Sequence, residues 1–294
     1  MYRTKLLTAI IFVSLLIVTA FSCKKEDDEV PTNTGVFAGM TFSKKVFIPN
    51  TGWNTSLAVS NQYIYFRNDD GLIQMDFEGN YKTFLVEGSD FIGKTTVQKD
   101  GKIYVYRDLG SSPRNELLKI NESGTIEETY KWPENHRSGY GLNLDKNYVY
   151  LNHKNNKYGI DCFNIVTGDS ILTFGSNGPE EHQFPKEAGV LGADSEGYIY
   201  AIMQQGEKGM IFNGDGEFFR SIPNTLIKYH LWNGGYYVND YTINHTSFNN
   251  AAGESQGRHY HNRDANGYEF LEEISPDRNT AIIKQDEYFY IYTK

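Results

Sequence analysis

Cysteine is nearly absent from this chain: Cys23 and Cys162 are the only two in 294 residues. Such a pair cannot build a disulfide framework or a Cys-based zinc site. Proline is sparse at 8 residues, while 28 Gly are available for turns. Clustered cations are missing too, since 28 Lys and Arg stand against 37 Asp and Glu, for a net charge of −9. That balance argues against nucleic-acid binding, where phosphates must be neutralised by grouped Lys and Arg. Beyond residue 30 no apolar run approaches the roughly 20 residues of a spanning helix, and no long stretch carries helical periodicity. Catalytic signatures are lacking as well: there is no GxSxG, HExxH, Walker loop or EF-hand loop.

The amino end is of a different kind. Met1-Tyr2-Arg3-Thr4-Lys5 carries two cations, and an apolar run extends from Leu6 to about Phe21. With small residues ahead of a cleavage point, these are the three zones of a secretory signal. Thr19-Ala20-Phe21-Ser22-Cys23 resembles a lipobox, although Ala20 stands where that motif prefers Leu. The resemblance implies a signal peptide over residues 1–22 and a lipid-bearing Cys23 at the head of the mature chain. An ordinary secretory signal with a bystander Cys is the alternative. Lys24-Lys25-Glu26-Asp27-Asp28-Glu29 then reads as a solvated tether, running to about residue 35. A Cys followed by Lys and acidic residues also resembles the surface-export signal of Bacteroidota lipoproteins. It implies a protein held in the outer membrane bilayer by acylated Cys23 and facing the medium, with a periplasm-facing orientation as the alternative.

Residues 36–294 are rich in strand formers, with 22 Tyr and 18 Phe in the whole chain. A turn followed by a short aromatic strand recurs six times. The six are Asn61–Phe66, Gly101–Tyr106, Asn147–Leu151, Gly197–Ala201, Gly234–Val238 and Glu287–Ile291. The five intervals between Tyr65 and Tyr290 average about 45 residues, the length of a four-stranded propeller blade. Most units continue into an Asn/Asp–Gly turn, as at Gly79, Gly124, Gly168 and Gly216, and then into an outer strand. Small-residue segments before the anchors, such as Ser56–Val59, Thr95–Val97, Gly139–Leu142, Ala188–Leu191 and Ala281–Ile283, suit crowded inner strands. The expected fold is therefore all-β: a six-bladed β-propeller of four-stranded antiparallel blades. The last anchor ends at Lys294, so the segment from about Val36 to Pro49 is expected to supply what the sixth blade lacks and to close the ring.

One unit carries a family resemblance. Phe174-Gly175, a Gly-containing loop, Phe184-Pro185 and then Asp194-Ser195-Glu196-Gly197-Tyr198-Ile199-Tyr200 resemble the NHL repeat. The whole is similar to six-bladed propeller lipoproteins of Bacteroidota. The resemblance implies architecture rather than chemistry, because such rings host binding, scaffolding and some enzymes.

Site candidates follow from propeller geometry. The connections leading to the inner strands share a face with the loops after the aromatic anchors. The first set offers Trp53, Arg137, Lys186, Lys228 and Arg278, and the second offers Arg67, Arg107 and Arg114. Arg, Lys and Trp in an acidic protein suit an anionic or sugar-like ligand. A long loop in the fifth unit adds Arg258 and three histidines, His245, His259 and His261. Those histidines read either as ligands for a divalent metal or, more plainly, as exposed residues of a solvated insertion. Two functions remain open. One is a non-catalytic module binding a glycan, peptide or protein without a cofactor. The other is a lyase or hydrolase acting on a polysaccharide or peptide, with the histidines holding a metal.

Overall fold

A computed structural model of the chain describes residues 32–48, 57–68, 71–84, 91–97, 102–108, 115–131, 140–143, 146–153, 158–184, 188–194, 196–203, 208–222, 229–232, 235–240, 245–260, 270–275, 277–285 and 287–294. Every regular element among them is a strand, and the strands form six antiparallel sheets, the blades of a six-bladed propeller. From the channel outward, blade 1 is Ala58–Val59, Tyr63–Asn68, Gly71–Asp76 and Tyr81–Phe84. Blade 2 is Phe91–Val97, Ile103–Asp108, Asn115–Ile120 and Ile126–Lys131. Blade 3 is Tyr140–Asn143, Tyr148–Asn152, Ile160–Asn164 and Ser170–Phe174. Blade 4 is Ala188–Ala193, Ile199–Met203, Gly209–Phe212 and Phe218–Ile222. Blade 5 is Tyr229–Trp232, Gly235–Asp240, His245–Asn249 and Ser255–Tyr260, with Thr34–Gly35 added at its outer edge. Blade 6 joins Phe270–Ile274, Thr280–Gln285 and Tyr288–Thr293 to the N-terminal strand Thr41–Phe47.

The aromatic and aliphatic runs form strands because both faces of a blade are covered. In blade 1, Tyr63 and Tyr65 pack towards Ile103 and Val105 of blade 2, while Ile64 and Phe66 pack towards Phe289 and Ile291 of blade 6. Similar clusters fill the other four gaps. The core is thus six slabs between blades, not one centre. Near the channel the blades meet almost backbone to backbone. A Cβ on Gly141 of blade 3 would lie 2.3 Å from Gly192 Cα of blade 4.

One turn design is used five times between third and outermost strands. Asp76, Asn121, Asn164, Asn213 and Asn250 each accept backbone N–H groups from residues two to four ahead. The backbone then needs positive φ, which Gly79, Gly124, Gly168, Gly216 and Gly253 supply at 77–92°.

The structure moves two expectations. The long loop of the fifth unit is instead the outer half of blade 5: His245–Asn249 and Ser255–Tyr260 pair across the fifth of these turns. Blade 6 is shifted by one strand. Ala281–Ile283 belongs to its second strand and Tyr288–Ile291 to its third, because Phe270–Ile274 is innermost. The N-terminal segment therefore contributes a single outermost strand to that blade.

The Gly141–Gly192 approach predicts a contrast within the inner strands. Gly141→Ala should cost about 1–3 kcal/mol, since backbone must shift to admit the methyl group. Gly189→Ala, whose Cβ would meet nothing nearer than 3.8 Å, should change stability little. Urea unfolding of both variants checks the pair.

Candidate functional site

Antiparallel order divides the connections between two faces of the ring. Turns from the innermost to the second strand, and from the third to the outermost, lie on one face. Loops from the second to the third strand, and the links between blades, lie on the other, here called the loop face. Trp53, Arg114, Arg137, Lys186, Lys228 and His261 lie outside the described residues, as does Cys23.

Two of the expected cations are brought together. Arg67 sits next to last in Tyr63–Asn68, and Arg107 next to last in Ile103–Asp108, so both lie at the loop-face ends of second strands. Side chains alternate along a strand. Tyr63 and Tyr65 face blade 2, and Ile103 and Val105 face blade 1. Arg67 and Arg107 continue those two rows, so they line the same gap between blades 1 and 2. Arg107 is held there by Glu116, its cross-strand neighbour, through an ion pair that includes an Nε to Oε2 contact of 3.1 Å. Both side chains are 15% exposed, so the guanidinium is oriented and only partly screened by water. Glu116 was not among the residues expected from sequence. Its signal was the placement of Arg107 and Glu116 on either side of one hairpin loop.

The other cations do not join them. Arg258 is exposed on the outermost strand of blade 5, opposite Ser247 and Thr34, and so stands on the outer wall. Arg278 lies in the turn from the innermost to the second strand of blade 6, which puts it on the opposite face. The expected position fails because of the one-strand shift in that blade. His245 and His259 are both buried. Cross-strand partners share a face, and His245 is opposite Tyr260 while Thr246 is opposite His259. The two histidines therefore point to opposite sides of blade 5 and do not converge. His245 Nε2 is 2.9 Å from Ser247 Oγ. His259 stacks on Phe37 at 5.4 Å, and its Nδ1 is 3.0 Å from Asn33 Oδ1. Among the described residues no group of three His, Cys, Asp or Glu is placed to hold a metal.

The segment that resembles the NHL pattern is built for packing. Phe174 and Phe184 enclose Phe212, with ring centroids 4.9 and 6.0 Å away. Lys208 Nζ donates to the carbonyls of Glu180, Glu181 and Gln183, tying this blade-to-blade link to blade 4. Asp194 accepts from the amides of Glu196 and Tyr198 and from Tyr200 Oη at 2.7 Å. Burial raises the Asp194 carboxyl, with the bonds from Tyr200 and the two amides acting against it. Tyr200 is also raised, by burial first and then by the Asp194 charge. Burial likewise pushes Tyr65 up to about 12, and the Cys162 thiol up to about 12. A thiol so placed stays protonated at neutral pH and belongs to the core. These groups lock turns and fill gaps between blades.

The chain matches no family model and no curated protein. Its ring is, however, similar to solved structures. Virginiamycin B lyase from Staphylococcus aureus superposes with a TM-score of 0.54 at 10% identity, over 86% of this chain and 100% of that one. A streptogramin B lyase gives 0.51 at 13% identity, over 85% and 96%. A chain of the mitotic checkpoint complex gives 0.55 at 11% identity, over 92% and 95%. At such identities the likeness is one of fold.

A carboxyl whose value is raised by folding binds its proton more tightly in the folded chain. Its stabilising contribution is complete below the ordinary carboxylate range and is lost as pH rises through the folded value. Asp194→Asn keeps an acceptor for the turn amides and removes the buried charge. The variant should be more stable than the parent at pH 7, and this gain should shrink towards zero below the ordinary carboxylate range. Urea midpoints measured across that interval test the sign.

Proposed function

We propose that this chain is an outer-membrane lipoprotein of the NHL-like propeller type, carried on acylated Cys23 and facing outward. Its propeller acts as a non-catalytic binding module for a glycan, peptide or protein partner. The observation that carries this reading is the pairing of Arg67 and Arg107 at the loop-face end of one gap, with Arg107 oriented by Glu116. A preoriented guanidinium offers bidentate hydrogen bonds to carboxylate, sulfate or phosphate groups. The lyases that share the ring do not decide the matter, because the checkpoint-complex chain shares it too.

Two results are expected. Cys23→Ala should move the folded protein from the membrane fraction to the soluble fraction and abolish fatty-acid labelling; a variant still membrane-bound would contradict the anchor. On glycan and peptide arrays the protein should select anionic ligands. Arg67→Ala and Arg107→Ala, each shown to be folded, should weaken that binding about tenfold or more, as loss of a charged hydrogen bond implies; Arg107→Ala also strands Glu116 and should melt lower than the parent. Silence on both arrays counts against these ligand classes, and release of a cleaved product would establish the lyase or hydrolase alternative.

A further inference from the structure

Among the described residues, large exposed apolar side chains are scattered over blades 1 to 4: Tyr81, Ile126 and Phe219 stand singly on the outermost strands of blades 1, 2 and 4, and blade 3 exposes Ile171 on its outermost strand and Val166 in the turn before it. Scattered residues of this kind are ordinary. Blade 6 differs. Its outermost strand exposes Phe42 and Phe47, at 49% and 55%. Register places Phe42 opposite Tyr292, Lys45 opposite Tyr290 and Phe47 opposite Tyr288, all on one face of the sheet. The rings touch: Phe47 and Tyr288 are 5.7 Å apart, and Phe42 and Tyr290 are 6.2 Å apart. Lys45 Nζ lies 3.9 Å over the Tyr288 ring and 5.1 Å from the Tyr290 centroid. At the end of the strand away from the loop face this surface packs on blade 5 through Tyr292, with Tyr290 half-buried beside it, while Phe42, Lys45 and Phe47 are exposed.

The position of this wall along the chain says what covers it. Asn33 begins the strap that runs along the outer edges of blades 5 and 6, through Thr34–Gly35 and Thr41–Phe47. Asn33 lies ten positions after Cys23, and a fully extended chain of that length reaches at most ~33–36 Å. A lipid on Cys23 therefore keeps the start of this strap within that distance of the bilayer, and the wall follows it directly along the chain. Tyr and Phe with a Lys whose stem lies along them are the side chains that settle at a membrane–water interface. Tethering raises the local concentration of lipid so far that weak partitioning is enough.

We infer that the outer wall of blade 6, formed by Phe42, Lys45, Phe47, Tyr288 and Tyr290, docks on the bilayer that holds the lipid anchor. This orients the ring edge-on to the membrane, with its loop face turned sideways rather than towards the lipid. The inference rests on the proposed anchor, so its test imposes a tether independently of lipidation.

The mature chain, carrying Cys23→Ala and a hexahistidine tag ahead of residue 23, is held on nickel-chelating phosphatidylcholine vesicles containing a nitroxide-headgroup lipid. An environment-sensitive fluorophore is placed at Ser43→Cys, on the exposed strand of blade 6, or at Ser170→Cys, on the exposed strand of blade 3. Docking at interfacial depth of about 5–10 Å should quench position 43 at least about twofold more than position 170. Phe42→Ser with Phe47→Ser should remove the difference while leaving tethering intact and the protein folded at the temperature of the assay. Equal quenching at the two positions, or a difference that survives the double variant, overturns the proposal. A dimer of the untethered protein that the double variant abolishes would also overturn it, by assigning the wall to a second copy. Lipidation itself is decided separately by the fatty-acid labelling above, so the two readings fail by different signs.

Discussion

The hydrogen-bonded pairing of Thr41–Phe47 with Tyr288–Thr293 joins the two ends of the described chain, and the rest of the ring leans on it. Without that strand, blade 6 loses its outermost member and both neighbouring slabs lose packing. Val46 and Ile48 lie in the slab shared with blade 1, and Phe37 and Met40, just upstream, lie in the slab shared with blade 5. Burying each such side chain contributes about 1.5–3 kcal/mol. The strand thereby adds to the packing of Ile64 and Phe66 on Phe289 and Ile291 that holds the first and last blades together.

Closure is helped by rim contacts at four of the six junctions between blades. Lys44 on the outermost strand of blade 6 is paired with Glu78 in the outer turn of blade 1. Lys82 on blade 1 donates to the Glu122 carbonyl in the matching turn of blade 2. Arg220 on blade 4 reaches the Ala252 carbonyl in the turn of blade 5. Between blades 3 and 4 the same place is taken by Leu172 and Phe174 against Gly216. A rim held in this way, with five near-identical turns, leaves the opposite face as the place where loops can differ and ligands can be distinguished.

The ring was legible because aromatic anchors recur at nearly constant spacing, and because Asn/Asp–Gly turns mark the outer hairpins. Blade 5 was misread where those signals fade. His245–Asn249 and Ser255–Tyr260 are polar strands at the rim, and Asn250–Gly253 was the one turn of its kind not recognised. Blade 6 was displaced by a strand because Thr280–Gln285 and Tyr288–Thr293 are adjacent hairpin partners of similar pattern, either of which could serve as the anchor. That shift of one strand carried Arg278 to the wrong face. The site was less legible than the fold for a general reason: convergence depends on which blade, face and strand end a residue occupies. Arg67 and Arg107 can be placed together because they occupy matching positions in adjacent units, and Glu116 follows once Arg107 and Glu116 are seen to flank one hairpin loop, whereas no local pattern announced the aromatic wall of blade 6.

Asn33 has a mechanical consequence. Its side chain accepts the Tyr260 amide, faces His259 Nδ1, and donates to the Met40 carbonyl, all before the closing strand begins. Any pull arriving along the chain from the amino end therefore meets blade 5 first, at a clasp backed by Thr34–Gly35 against Gly257 and Arg258. The seam between the ends is thus relieved of tension, like a stitched cable that is clamped ahead of its splice. Drag on a tethered ring would strain the clasp before it could begin to open the circle.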